Sequence, residues 1–280
     1  MNQFTGVSGA VLANLLWGLS PLYYKQLGTI SPIVLLCAQV VLTFAVLIVF
    51  NGFKFSDTGR DAILKAAPTA LLIGLNWAAY VAAVMKGQAL QASYAYFMAP
   101  ILTVLLGSLV FREAMSLRQK IGVMVTTVAV ALDVFYSGEV PVLGILIAMP
   151  FAIYVIQHKR IGSSNPIGSL KAETLILAPF ALACLSILGP QIQASEMDSR
   201  ALQLLALIGL VNALPLLLFI RSAPALSASQ LGATQFIAPI TSALLSYFAF
   251  GVQMTGTKVL VLGLLAAGMA GAALPKRAVN

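Results

Sequence analysis

Amide and aromatic side chains recur inside the long apolar stretches of this sequence, often three or four residues apart and therefore on one helix face. Amides donate and accept hydrogen bonds, and aromatic rings offer apolar contact area and attract ammonium groups. A cavity that they line has no fixed charge, so it suits neutral or zwitterionic molecules with an apolar body, such as hydrophobic or aromatic amino acids. The candidate pathway-lining residues are Asn14, Trp17, Asn76, Trp77, Tyr80, Tyr96, Tyr154, Gln157, Asn212 and Gln235.

Two structural alternatives stay open for these residues. Tyr and Trp gather at the two interfaces of a membrane, and Trp17 fits such a belt as well as a pathway. Asn76 and Asn212 fit interhelical hydrogen bonds that hold a bundle together, although each lies beside a repeated Ile-Gly-Leu word.

Four prolines inside the apolar stretches predict gates or kinks, because a proline donates no backbone hydrogen bond and frees the carbonyl one turn earlier. Tyr96 precedes one of them by a turn, and Gln235 precedes another by a turn, which favours a shared role. The four are Pro21, Pro100, Pro215 and Pro239.

Ionisable groups give fewer candidates. Asp133 falls inside a predicted membrane span, about a turn from its end, and is the candidate coupling residue, although its position near the outer interface also fits a structural role. Glu173 and His158 fall at predicted span ends, so we expect no buried proton carrier and favour facilitated diffusion, exchange, or coupling through a peripheral group. The sequence contains no cysteine–histidine ligand set, phosphate loop or nucleophile–base constellation, so we expect no metal, no cofactor and no enzyme.

Composition predicts the elements that carry these residues. Of the 280 residues 60% are hydrophobic and 9% are charged, whereas roughly a quarter of a soluble domain is charged. A membrane-spanning helix needs about 20 mostly apolar residues, and continuous rather than alternating runs favour helices. We predict an all-α membrane protein with ten transmembrane helices and no soluble domain. The predicted spans are 4–24, 32–51, 65–86, 89–111, 118–136, 140–157, 170–190, 201–221, 225–250 and 257–274.

The loop charges predict the orientation of these spans. With the N-terminus in the cytoplasm, twelve of the sixteen Lys and Arg residues lie in cytoplasmic segments and four in outer segments. This bias supports an even number of spans and places both termini in the cytoplasm. The net charge of +8 is therefore a topology signal, and we expect no nucleic-acid partner.

An internal repeat divides the chain. Ile-Gly-Leu occurs at 73–75 and 208–210, followed by Ala-Leu-Gln-Ala-Ser at 89–93 and Ala-Leu-Ser-Ala-Ser at 225–229. Phe-Met-Ala-Pro at 97–100 and Phe-Ile-Ala-Pro at 236–239 then complete the match. We predict two five-helix halves, 1–137 and 138–280. Because five is odd, the halves are inserted in opposite directions, as in secondary transporters with a site at the repeat interface.

The sequence also resembles a known family. Its most specific features are Trp17-Gly18-Leu19-Ser20-Pro21, Asn76-Trp77 with Tyr80, Tyr96-Phe97 before Pro100, and the stretch from Ala213-Leu214-Pro215 to Gln235-Phe236-Ile237-Ala238-Pro239. Together they resemble the RarD branch of the EamA family, in the drug/metabolite transporter superfamily. The resemblance implies a ten-helix bacterial inner-membrane carrier, usually an exporter. Relatives often carry a basic residue in the second span, where this chain has Ala38-Gln39.

These observations predict a secondary transporter that exports small zwitterionic or neutral metabolites, or drug-like compounds, by alternating access. A lipid flippase and a non-transporting membrane assembly factor are the alternatives. The expected partners are a small-molecule substrate and the lipid bilayer. A homodimer through the glycine-rich tenth span, which contains Gly263, Gly268 and Gly271, is left open.

Overall fold

The computed structural model describes residues 3–27, 30–52, 54–85, 89–137, 142–162, 165–188, 199–251 and 255–273. Within these ranges all regular structure is helical. A short 3-10 turn, Ala223–Ala225, precedes the tenth helix. The helices are α1 (Gln3–Lys25), α2 (Pro32–Asn51), α3 (Phe55–Thr58), α4 (Arg60–Met85), α5 (Ala89–Phe111), α6 (Leu117–Ser137), α7 (Val142–Ile161), α8 (Pro166–Leu188), α9 (Ser199–Ser222), α10 (Ala228–Gln235), α11 (Ile237–Phe250) and α12 (Gly256–Ala273).

Each predicted span coincides with a helix, with four differences. Helix α4 begins at Arg60 rather than 65, and α7 continues to Ile161 rather than 157. Helix α8 begins at Pro166 rather than 170, so Glu173 lies two turns inside it instead of at its end. The ninth segment is interrupted at Phe236, between α10 and α11. The predicted boundaries at 86, 138, 140, 190 and 274 lie outside the described residues.

Six helices among the described residues are long and apolar enough to cross a membrane. Helix α1 is not among these six because polar residues interrupt its apolar stretch. Helix α7 ends in three basic residues, which shorten its apolar stretch. Described apolar stretches of α5 and α12 are shorter. The chain is thus a multi-span helical protein by length and composition. The six stretches are Pro32–Asn51, Arg60–Ala83, Leu117–Tyr136, Pro166–Ile187, Ser199–Ala225 and Ala228–Ala249.

Side-chain contacts between the connections define one end of the bundle. Gln3 at the start of α1 donates to Gln230 in the first turn of α10, with the two atoms 3.2 Å apart. Lys171 donates to the Gly52 carbonyl at 2.8 Å, which joins α8 to the end of α2. We call this the charged end, because six ionisable residues collect there. They are Asp57, Glu113, His158, Lys159, Lys171 and Glu173.

Contacts between α1 and α9 mark the opposite end. Tyr23 donates to the Leu204 carbonyl, and Arg200 donates to Gln26. Helix α1 therefore runs away from the charged end, whereas α7 runs toward it. Helix α2 runs toward the charged end and α8 runs away from it.

The helices pack in pairs through small residues. Helix α2 contacts α8 and α9, α1 contacts α9 and α11, α4 contacts α7 and α8, and α5 contacts α7 and α10. A Cβ at Gly209 would lie 2.3 Å from the Leu42 carbonyl oxygen, so α9 approaches the α2 backbone too closely for a larger residue. Gly268 of α12 likewise meets the Gly122 carbonyl of α6, where a Cβ would lie at 2.7 Å. This glycine therefore packs α12 against α6 within the chain.

Candidate solute pathway and adjoining charged cluster

Four aromatic rings from three helices meet in the interior of the bundle. The ring centroid of Trp17 on α1 lies 5.4 Å from that of Phe219 on α9 and 6.3 Å from that of Phe151 on α7. Phe151 stacks on Phe219 at 6.4 Å and on Tyr154 at 6.1 Å. We call these four residues the aromatic cluster. It unites the predicted residues Trp17 and Tyr154 with two phenylalanines that the sequence analysis missed.

Spacing could have identified the two missed rings. Phe151 precedes Tyr154 by three residues, and Phe219 follows Asn212 by seven, so each shares a helix face with a predicted residue. Polar groups are costly in apolar stretches whereas phenylalanine is not, so the pattern of the sequence singles out the polar groups and not these rings. The structure instead combines apolar rings with a single buried hydroxyl.

Asn212 is the centre of a hydrogen-bond network between α2 and α9. Its Oδ1 accepts from Gln39 Nε2 at 3.1 Å, and its Nδ2 donates to Thr43 Oγ1 at 3.1 Å. Tyr24 of α1 donates to Gln39 Oε1 at 2.7 Å. Both polar atoms of the Asn212 amide are therefore held by a neighbouring helix, as the interhelical alternative for this residue describes.

Two other predicted amides also bond across helices. Asn76 of α4 donates to the Ile147 carbonyl of α7 at 2.8 Å. Gln235 at the end of α10 exchanges hydrogen bonds with Thr103 of α5, at 3.3 and 3.4 Å. The amide of Asn14, another predicted residue, is buried and donates to the Ala10 carbonyl of its own helix.

The remaining predicted residues lie at several depths. Trp77 is half-buried and packs at the edge of the main core and of a second apolar cluster. Tyr80 and Tyr96 meet edge to face with centroids 5.8 Å apart, and Tyr96 is half exposed. Gln157 of α7 is half-buried. Asp133 is half-buried in the last turns of α6, away from the charged end where that helix begins.

The two repeated motifs that end in proline, 97–100 and 236–239, lie in neighbouring segments that are in contact. A Cβ at Gly232 of α10 would lie 2.8 Å from the Pro100 carbonyl oxygen of α5. Helix α5 continues through Pro100 without a break. The other copy is interrupted at Phe236, three residues before Pro239, where the Phe236 amide donates to Ala233. Pro21 and Pro215 lie inside continuous helices.

Beside the aromatic cluster lies an acid–base pair that the sequence analysis placed at span ends. His158 Nε2 lies 2.8 Å from Glu173 Oε1, and the two side chains are 2% and 1% exposed. The Tyr154 hydroxyl donates to Glu173 Oε2 at 3.1 Å. The prediction that Glu173 lies at a span end is therefore wrong, because α8 begins four residues earlier than predicted and the carboxylate is buried inside it. Asn165 stabilises that early start by accepting from the Gly168 amide at 2.9 Å.

A second buried pair joins α8 to the connection after α2. Lys171 Nζ lies 3.0 Å from Asp57 Oδ2, and neither side chain is more than 3% exposed. Asn165 Nδ2 donates to the other carboxylate oxygen at 2.9 Å. Burial alone would raise the pKa of Asp57, but the hydrogen bond and charge of Lys171, aided by Ser56 and Lys54, hold that pKa below its ordinary value.

A third pair joins α7 to the connection after α5. Lys159 Nζ lies 3.2 Å from Glu113 Oε1 and donates to the Leu226 carbonyl at 2.6 Å. Glu113 Oε2 accepts from the Ala228 amide at 2.7 Å, so its negative charge faces the N-terminus of α10. This pair and the Asp57–Lys171 pair each link the predicted first half of the chain to the second.

Comparisons with known proteins agree with this architecture. The model of the EamA-like transporter family matches residues 4–135. The chain is 31% identical to the uncharacterized transporter YojE of Bacillus subtilis, over 90% of this chain and 88% of YojE. It is 28% identical to protein RarD of Escherichia coli, over 91% of this chain and 88% of RarD.

A solved structure, titled "Crystal structure of protein", has the same fold. It superposes with a TM-score of 0.74 over 95% of this chain and 96% of that chain, at 17% sequence identity. The apolar helices and the relatives together identify the chain as a multi-pass membrane protein that belongs to the EamA-like transporter family, in its RarD-like branch.

Proposed function

We propose that this chain is a secondary transporter of the bacterial inner membrane that exports small zwitterionic or neutral metabolites with an apolar body. The observation that carries the proposal is the aromatic cluster. Trp17 comes from the predicted first half, and Phe151, Tyr154 and Phe219 come from the second. Four rings at the seam of two halves give a solute apolar contact, and their faces attract an ammonium group.

The directions of the helices support two inverted repeats of five spans each. Helices α1 and α7, which open the two halves, run in opposite directions, and so do α2 and α8. The contacts also correspond between halves, since α1 packs on α9 as α4 packs on α7, and α2 packs on α9 as α4 packs on α8. The family model matches 4–135, which is nearly the span of the first half.

The charged end supplies the gate that alternating access requires. In this conformation Asp57–Lys171 and Glu113–Lys159 tie the two halves together, and the first pair is fully buried. The loop charges support a cytoplasmic position for this end and for both termini. Release of a solute to the outside and return to the cytoplasm then require these pairs to form and break in turn.

Counterflow in proteoliposomes tests the proposal. Purified protein is reconstituted into liposomes loaded with unlabelled phenylalanine, and uptake of labelled phenylalanine is measured. We expect uptake above that of protein-free liposomes. Trp17→Ala should lower it about tenfold, since it removes an aromatic contact with the solute worth about 1.4 kcal/mol, which corresponds to a factor of ten. Trp17→Phe should retain most of it.

The matched control is Phe135→Ala, which removes an aromatic ring that is 79% exposed and lies outside the cluster. We expect this variant to transport like the wild type. Failure of phenylalanine and of a panel of other neutral amino acids to exchange would contradict the proposal. Movement of labelled phospholipid between leaflets instead would identify a lipid flippase.

A further inference from the structure

The His158–Glu173 pair has no role in the solute route described above. Its two atoms, His158 Nε2 and Glu173 Oε1, lie 2.8 Å apart, and Tyr154 donates to the other carboxylate oxygen. Both oxygens of Glu173 therefore have partners. With exposed fractions of 2% and 1%, the pair is shut off from water in this conformation.

The second imidazole nitrogen distinguishes this pair from an ion pair that only holds helices together. Among the described residues, His158 Nδ1 is a buried side-chain atom without a hydrogen-bond partner, and leaving such an atom unpaired costs about 1–3 kcal/mol. A neutral imidazole can accept a proton there, and an imidazolium can release one. Nδ1 is thus the atom of the pair that can exchange a proton once water reaches it.

Ring contacts connect this pair to the aromatic cluster. The His158 ring centroid lies 4.5 Å from that of Tyr154, and Tyr154 stacks on Phe151 at 6.1 Å. Phe151 in turn meets Trp17 at 6.3 Å. A change of charge at the pair therefore acts on side chains that are in contact with the proposed solute site.

We propose that the His158–Glu173 pair is a proton-binding site that couples solute transport to proton movement, an inference that rests on the proposed function. With one proton the pair is neutral, as imidazolium and carboxylate or as imidazole and carboxylic acid. Without that proton, which passes to water, the pair carries one negative charge. Because a buried net charge is costly, the proton-bound pair stabilises this closed arrangement and the proton-free pair favours opening.

The charged residues near the His158–Glu173 pair are either paired with each other or exposed, so they are not alternative buried proton-binding sites. Lys171 is paired with Asp57 of α3, and Lys159 with Glu113. Helices α2, α5 and α10 contain no charged residue. The other charged residues of α4, α7 and α9 are exposed: Arg60, Asp61, Lys65, Arg160, Arg200 and Arg221. The uncharged titratable side chains on the packed elements are Cys37, Tyr80, Tyr94, Tyr96, Tyr154 and Cys184.

A fluorescence titration tests the proton site without any solute. The chain has two tryptophans, so Trp77→Phe leaves Trp17 as the reporter beside the cluster. We expect its emission to show a transition between acidic and alkaline pH. Adding His158→Gln with Glu173→Gln should abolish it, whereas Asp61→Asn, at an exposed carboxylate of α4, should leave it intact. A missing transition in the parent, or one that persists in the doubly changed pair, would overturn the proposal.

If the double variant does not fold, the single variants Glu173→Gln and His158→Gln provide the same test. Glutamine at 173 retains an acceptor for Tyr154 and for His158, so the packing is preserved. Each single change should move or remove the transition. Elution of every variant as one symmetric peak in size-exclusion chromatography is the check on folding.

Proteoliposomes then test the coupling. With the membrane potential clamped at zero, a gradient of one pH unit should drive about tenfold accumulation of phenylalanine if one proton moves per solute. In Glu173→Gln the ratio should fall to about one, while Asp61→Asn should keep the tenfold ratio. Exchange at equal pH without any response to the gradient, or loss of the response only in Asp133→Asn, would overturn the coupling. Absence of exchange would contradict the proposed function instead, and the titration would then decide the proton site alone.

Discussion

Removal of Lys171 from its buried ion pair should destabilise the protein strongly. The side chain is fully buried and lies 3.0 Å from Asp57 Oδ2, so Lys171→Met leaves a carboxylate inside the protein with Asn165 and Ser56 as its remaining donors among the described residues. Breaking a buried pair on one side costs about 3–5 kcal/mol. At about 2 °C per kcal/mol for a chain of this size, the apparent Tm in detergent should fall by about 6–10 °C at neutral pH.

The fall in Tm caused by Lys171→Met should be smaller at acidic pH than at neutral pH. In the wild type the pKa of Asp57 is held below its ordinary value, so the pair stabilises the folded protein above the pKa of the unfolded carboxyl. That stability disappears only as the pH falls through the lower folded value. Without Lys171 burial dominates and raises the pKa of Asp57. Acidification should therefore protonate the carboxyl of Asp57 in Lys171→Met. The difference in Tm between this variant and the wild type should then become smaller.

Two further variants decide whether the pair is the cause. Adding Asp57→Asn to Lys171→Met removes the buried charge and should restore most of the lost Tm. Lys65→Met removes an exposed lysine of α4 and should change the Tm by little. The Tm of the wild type and of the three variants is measured by heating each protein and determining the remaining folded fraction by size-exclusion chromatography. Equal Tm values for Lys171→Met and Lys65→Met would refute the reasoning.

Two other predictions concern the interior of the bundle. Asn76→Ala and Gln235→Ala should impair counterflow yet leave the amount of folded protein in membranes unchanged, because an interhelical hydrogen bond in a membrane contributes only about 0.6 kcal/mol on average. Loss of both proteins from the membrane, read by immunoblot, would instead assign these amides to holding helices together. Gly209→Ala should lower the Tm because its Cβ would meet the Leu42 carbonyl oxygen at 2.3 Å, whereas Gly263→Ala, with nothing within 4 Å, should not. Equal Tm values would contradict the close approach of α9 to α2.

The sequence predicted the helices well because long apolar runs have few alternatives in a membrane. It misplaced the start of α8 because a charged residue is normally expected in water. Lys171 and Glu173 are buried instead, since their partners neutralise them, and Asp57 lies 114 residues away from Lys171 in the chain. Such a distant pairing has no local pattern, so the charged end could not be predicted.

The partners of the candidate site residues could not be predicted from the sequence. The bonds of Asn212 to Gln39 and Thr43 depend on how α2 packs against α9. That packing follows from Gly209, whose missing side chain admits the α2 backbone. The rings of the aromatic cluster come from three helices, and their meeting likewise depends on tertiary packing.

The two copies of the repeated proline motif, 97–100 and 236–239, differ in helix continuity, and this difference leads to the last prediction. The segment with Pro239 is broken at Phe236, whereas α5 passes through Pro100 without a break. If two inverted halves exchange conformations during transport, the opposite state should break α5 at Phe97, three residues before its proline, and join α10 to α11. Amide hydrogen exchange can follow this change after Lys171→Met weakens the charged end. Amides near 97–100 should then exchange faster and those near 236–239 slower, and an unchanged pattern at both would contradict the exchange of roles.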